Sequence, residues 1–209
     1  MALRWTRDVA GAVVDTYQED QVDPGSIERL IRGTLAEDYQ PLEVVHYVMT
    51  EYVAPTPRCR VTLTLQRGGV RQETLEGQGV GFVEAAFRCL IDHFALVGLA
   101  GMEVLGFDVD GQMASSRDAR GLDAVAQVRL TVQPRGAPAQ VFEGQARSTL
   151  AATLIAVVGL VERALNADAA VARLEEAAQE ARRAGRMDVL ADRRADLARL
   201  RPWTTPAAA

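Results

Sequence analysis

The sequence predicts an α+β fold made of two βββα units, with helical segments added at both ends. Three observations predict it. The first is a repeat: VTLTLQRGGVRQETLEGQGVGFVEA, from Val61 to Ala85, aligns without a gap on VRLTVQPRGAPAQVFEGQARSTLAA, from Val128 to Ala152, 67 residues on. Val61/Val128, Leu63/Leu130, Thr64/Thr131, Gln66/Gln133, Gly69/Gly136, Glu76/Glu143, Gly77/Gly144, Gln78/Gln145 and Ala85/Ala152 are identical, 9 of 25 positions. Agreement of that density in one register implies a duplicated structural unit. The second is a change of period inside each block, from strand-like alternation to helical spacing. The third is the turn chemistry, Arg67-Gly68-Gly69 in the first block and Pro134-Arg135-Gly136 in the second, where glycine accepts positive φ at no steric cost.

Taken in order, residues 3–17 and a second stretch opening at Ser26 read as short helices. Pro24 and Gly25 stand outside the second, and Ser26 caps an apolar set of Ile27, Leu30, Ile31 and Leu35. Residues 42–53 are rich in β-branched and aromatic side chains, a strand composition. In residues 60–66, Val61, Leu63 and Leu65 alternate with Thr62 and Thr64, the mark of a half-buried antiparallel strand. Residues 70–76 return as the third strand, and Gly77 and Gly79 interrupt it. A helix follows from Phe82, its stripe formed by Val83, Ala86, Phe87, Leu90, Ile91 and Phe94.

The second unit repeats the order: strands over 102–109, 125–132 and 140–143, then a helix over 148–165. The polar connection 110–123 is longer than its counterpart and reads as a surface or ligand loop. Residues 150–161 are apolar nearly all round, and a second subunit is the simplest cover for the side that faces away from the sheet. Residues 168–201 are rich in Ala, Arg and Glu, and predict one helix or a hairpin broken near Gly185. The plan is a helical segment over 1–40, a duplicated domain over 41–166 with units 41–97 and 101–166, a helical extension over 167–201 and a tail over 202–209.

Composition excludes several classes of function. Hydrophobic residues make up 48% of the 209 and charged residues 24%, with a net charge of −5. No basic block offers nucleic acid the concentrated positive face it requires. The apolar run 150–161 is well short of the ~20 residues of a membrane span. The opening residues lack the apolar core and cleavage site of a signal peptide. Cys59 and Cys89 have no metal or redox spacing, so the expectation is buried free thiols in a reducing cytoplasm.

Catalytic constellations are scarce. His46 and His93 form no HxH or HExxH pair and read as structural, and the chain has no lysine and no GxSxG elbow. No metal or cofactor is expected. The glycine turn Gly77-Gln78-Gly79-Val80-Gly81 leads from a strand into a helix, where bare N–H groups suit a carboxylate. The alternative is that these glycines only make a tight turn.

The stretch GVGFVEAAF (79–87), after the strand VRQETLEGQ, resembles the G-x-G-P-[VL]-[DA]-A-A motif of the C-terminal regulatory domain of 2-isopropylmalate synthase. Asp118-Ala119-Arg120-Gly121 looks like that family's D-A-x-G loop. STLAATLIAVVGLVERALN (148–166) is similar to the helix closing its second unit, and EDYQPLEVVHYVM (37–49) to the segment that enters the domain. The resemblance spans roughly residues 34–166. It implies a non-catalytic homodimer that binds leucine, or a related amino or keto acid, near the dimer interface, and that serves a separately encoded synthase subunit. Gly79, Val80, Gly81, Val83 and Glu84 would then form the turn side of the ligand site. Asp118 and Ala119 would form its loop side, and Phe107 or its neighbour its aromatic. Phe82 stands where the family has proline, Val80 where it usually has asparagine, and the catalytic barrel with its HxH is missing. The rival expectation is a structural or interaction protein that kept the dimer fold without the ligand.

Overall fold

The computed structural model describes residues 24–96, 99, 102–113 and 124–204. The helix expected over 3–17 and the loop segment 118–121 lie outside them. The chain has a mixed α+β architecture. α1 (Pro24–Leu35) and a 3-10 turn lead into β1 (Leu42–Tyr52), β2 (Arg58–Arg67) and β3 (Arg71–Gly79), followed by α2 (Phe82–Phe94). β4 (Glu103–Met113), β5 (Ala124–Gln133) and β6 (Gln140–Ala146) follow, then α3 (Thr149–Arg183) and α4 (Met187–Leu200). The strands form two three-stranded antiparallel sheets, β1-β2-β3 and β4-β5-β6.

Alternation decides which face each sheet buries. On β2, Cys59, Val61, Leu63 and Leu65 are buried while Arg58 and Arg60 are exposed, and on β5 Ala126, Val128, Leu130 and Val132 are buried. Full burial of each of these Val and Leu side chains stabilises by about 1.5–3 kcal/mol. α2 packs on β2 and β3, α3 packs on β5 and β6, and the two helices touch, so both sheets share one core.

Several boundaries differ from the sequence expectation. Pro24 and Gly25 are inside α1, since proline fits a first helical turn whose N–H has no partner anyway. The Ser26 hydroxyl is buried and caps nothing among the described residues. Gly77 and Gly79 do not interrupt the third strand: they are its last residues, paired with Val61 and Cys59. β4 runs into the expected loop as far as Met113, because Asp110, Gly111, Gln112 and Met113 continue the ladder opposite Gln127, Ala126, Val125 and Ala124. Backbone pairing there overrides polar composition.

The helix expected to stop at Leu165 continues to Arg183 without a break. Its end is a Schellman motif: Gly185 takes φ +69°, its N–H reaches the Arg182 carbonyl, and the Arg186 N–H reaches the Ala181 carbonyl. The hairpin break at Gly185 is therefore where the sequence puts it. Trp203, in the segment read as a tail, is buried edge-on against Phe142 at 6.1 Å.

The apolar girth of α3 also has a different explanation. Its sides are covered by β5 and β6, α2, α1, β1 and α4 of the same chain, and Ile155 is its one large apolar residue left 44% exposed. A second subunit is not needed to cover it. The helix is long and apolar enough to cross a membrane by length and composition, but 61% of its most apolar window is already buried in the chain.

Candidate functional site

The turn from β3 into α2 holds five of the expected site residues, and its glycines have separable reasons. α2 lies so close on β3 that a Cβ on Gly77 would fall 2.4 Å from the Ala85 carbonyl oxygen and 2.5 Å from the Cys89 Cβ. A Cβ on Gly79 would fall 2.6 Å from the Ala85 nitrogen. Both are glycine because the helix backbone needs the space. Gly144, aligned with Gly77, meets the Ala152 carbonyl oxygen at 1.8 Å, and Ala152 is the residue aligned with Ala85. Gly81 is different. It precedes α2 with φ −135° and ψ 176°, extended backbone open to any residue, and a Cβ there would have open space around it.

The electrostatics of the turn are set by Glu84. Its Oε2 accepts the Val80 backbone N–H at 2.9 Å, and its Oε1 meets Arg88 Nη2 at 2.6 Å. A carboxylate in the first turn of α2 thus occupies an amide just before the helix that a ligand carboxylate would use. Val80 is 67% exposed. Phe82, the first residue of α2, lies against Tyr47 of β1 at 6.1 Å between ring centres, and the Tyr47 hydroxyl is 3.5 Å from Ser148 Oγ. Ser148 caps α3 through the Ala151 N–H. Tyr47 therefore joins the N-terminal ends of α2 and α3.

Gly79, Val80, Gly81, Val83 and Glu84 are brought together by chain continuity. Phe107 lies on the other sheet, on β4 opposite Leu130 and partly buried against the core. Among the described residues no hydrogen bond or ring contact joins it to the turn. Asp118 and Ala119 lie outside the described residues.

The other sequence candidates have plain surroundings. Cys59 and Cys89 are both buried and unpaired. Burial pushes both thiols up, Cys89 to about 11 with Asp92 and Glu76 adding to it, so neither is a ready nucleophile. His93 pairs with Glu73 across 2.5 Å rather than with its sequence neighbour Asp92, and His46 is exposed on β1. Among the described residues, no three His, Cys, Asp or Glu side chains gather as metal ligands would.

Sequence reasoning missed a polar clasp on α3. Asn166, 2% exposed, accepts the Gln40 N–H with Oδ1 at 2.9 Å and donates from Nδ2 to the Gln40 carbonyl at 3.0 Å. One turn earlier, Glu162 accepts the Tyr39 hydroxyl at 2.5 Å and the Leu42 N–H at 2.8 Å. Burial, then the hydrogen bond to Glu162, raises the Tyr39 phenol well above its ordinary value. Arg163 stacks over Phe142 and Trp203 at 4.7 and 5.4 Å, and desolvation lowers its pKa. The available signal was the i, i+4 spacing of Glu162 and Asn166 at the end of an apolar run.

No protein-family model matches the chain, and no curated protein matches it in sequence.

Proposed function

We propose that this chain is a non-catalytic regulatory module built from two copies of a βββα unit. In this reading it binds a small carboxylate ligand, leucine or a related amino or keto acid, at the turn between β3 and α2. It works as a homodimer and acts on a separately encoded synthase subunit, as the resemblance to the 2-isopropylmalate synthase regulatory domain implies. Gly81 carries the reading. Close packing accounts for Gly77 and Gly79, but no neighbour among the described residues and no backbone angle requires glycine at 81. Clear space beside the first N–H groups of a helix is what a bound carboxylate needs. The ligand would displace the Glu84 carboxylate from the Val80 N–H.

The structural reading is favoured by one observation, that same Glu84. The turn is satisfied by its own side chain and needs no ligand.

A thermal-shift screen against amino acids and 2-keto acids separates the two readings. A ligand at 100 times its Kd adds about 2.7 kcal/mol to stability. Gly81→Val removes that gain while leaving the unliganded melting temperature nearly unchanged, since the Cβ enters open space. Gly33→Ala, at an equally open glycine on α1, preserves it. No stabilisation by any such compound, or equal stabilisation of Gly81→Val, selects the structural protein.

A further inference from the structure

Beside the glycine turn, the first sheet carries a pocket that the carboxylate reading of that turn does not use. It has a volume of about 280 Å³ and is lined by Tyr52, Arg58, Cys59, Arg60 and Gln78. Arg58 and Arg60 alternate with buried Cys59, so both leave the face turned away from α2, with Cα atoms about 7 Å apart. Register brings the others to them: Tyr52 lies opposite Arg58 on β1, and Gln78 lies opposite Arg60 on β3.

Two neighbouring arginines there lack an acidic partner among the described residues, as Arg135 and Arg201 elsewhere also do. The net charge is −5, and Arg32, Arg88, Arg129, Arg163, Arg173, Arg193 and Arg199 all have a carboxylate within 4.0 Å. Arg58 and Arg60 have no such partner among the described residues, although they are neighbours on one face. Two like charges held side by side repel, and an acidic chain had carboxylates available to pair them. What the pocket does supply is two guanidinium forks, which only donate, with the Gln78 carboxamide and the Tyr52 hydroxyl able to donate beside them. Guanidinium forks match the paired oxygens of carboxylate and phosphate.

We propose that this pocket binds a small, doubly charged oxyanion of phosphate or short dicarboxylate type, with Arg58 and Arg60 each taking one pair of oxygens. The site adjoins the glycine turn through Gln78 but does not depend on the ligand proposed there.

The test measures melting temperature and calorimetric binding with sodium phosphate, sodium malonate and sodium chloride at matched ionic strength. The expected result is saturable binding of phosphate, malonate or both, absent with chloride. Phosphate alone identifies a phosphate-type ligand, malonate alone a dicarboxylate, and both a site that reads charge. Arg58→Gln with Arg60→Gln weakens binding about tenfold or more, as loss of charge-assisted hydrogen bonds requires. Both side chains are exposed, so the variant folds. Arg129→Gln, an arginine on the outward face of the other sheet, leaves binding unchanged. A response no larger than that to chloride overturns the proposal. So does full binding by the double arginine variant, or an equal loss in Arg129→Gln.

Discussion

At the scale of single residues, glycines of one sequence type divide into those that packing demands and one that it does not. Gly77 and Gly144 each face a helix backbone, and a methyl group at either overlaps a carbonyl oxygen far inside contact distance. Overpacking of a core usually costs about 1–3 kcal/mol. Here the obstruction is backbone rather than a movable side chain, so Gly77→Ala and Gly144→Ala should lose about 3 kcal/mol or more by urea denaturation. Gly81→Ala should be neutral or slightly stabilising, by up to about 1 kcal/mol, because its angles suit alanine and the unfolded chain loses freedom. Similar losses at all three positions would show that the contact of α2 with β3 is not what sets Gly77 apart from Gly81. The sequence marks Gly77 and Gly144 as equivalent but cannot say that one Cβ has room and another has none. That difference depends on how near a helix axis comes to a strand, which is a tertiary distance.

Among the elements, α3 is where sequence and structure part most. Its first half was legible as an apolar helix, and its last half as an Ala-Arg-Glu helix. Their continuity across Asn166 was not, because a buried asparagine in an apolar run looks like an ending. Asn166 is tolerated there because all three of its hydrogen bonds are to the backbone, two to Gln40 and one to the Glu162 carbonyl. It ties the chain entering β1 to the helix that follows β6. Strand alternation was legible for the same kind of reason that this clasp was not: periods are local, while a side chain meeting a backbone 126 residues away is not. Asn166→Leu strands the Gln40 N–H and carbonyl in a part-buried position. The expected loss is about 1–3 kcal/mol, with faster amide exchange over residues 39–42. Unchanged stability and exchange would show that the clasp contributes nothing.

For the whole molecule, the argument for a dimer has to move from α3 to an edge strand. α3 has its cover within the chain, but β4 does not. Among the described residues it pairs only with β5, so beyond Glu103 its other edge has no strand beside it, and Leu105 and Val109 are 46% and 50% exposed on it with Phe107 partly buried between them. An open edge that is also apolar associates readily unless charge or a bulge protects it. The irregularity between Val104 and Gly106 protects one end only. A second copy meeting β4 would bury these side chains and would bring Phe107 toward an interface. Sedimentation equilibrium at micromolar concentration should therefore give about twice the chain mass of 22.6 kDa. Leu105→Asp with Val109→Asp should return it to the monomer without loss of secondary structure, since both side chains are exposed in the single chain. A wild-type monomer would remove the dimer from the proposed function. A dimer that survives the double aspartate variant would keep the assembly but take the interface away from β4.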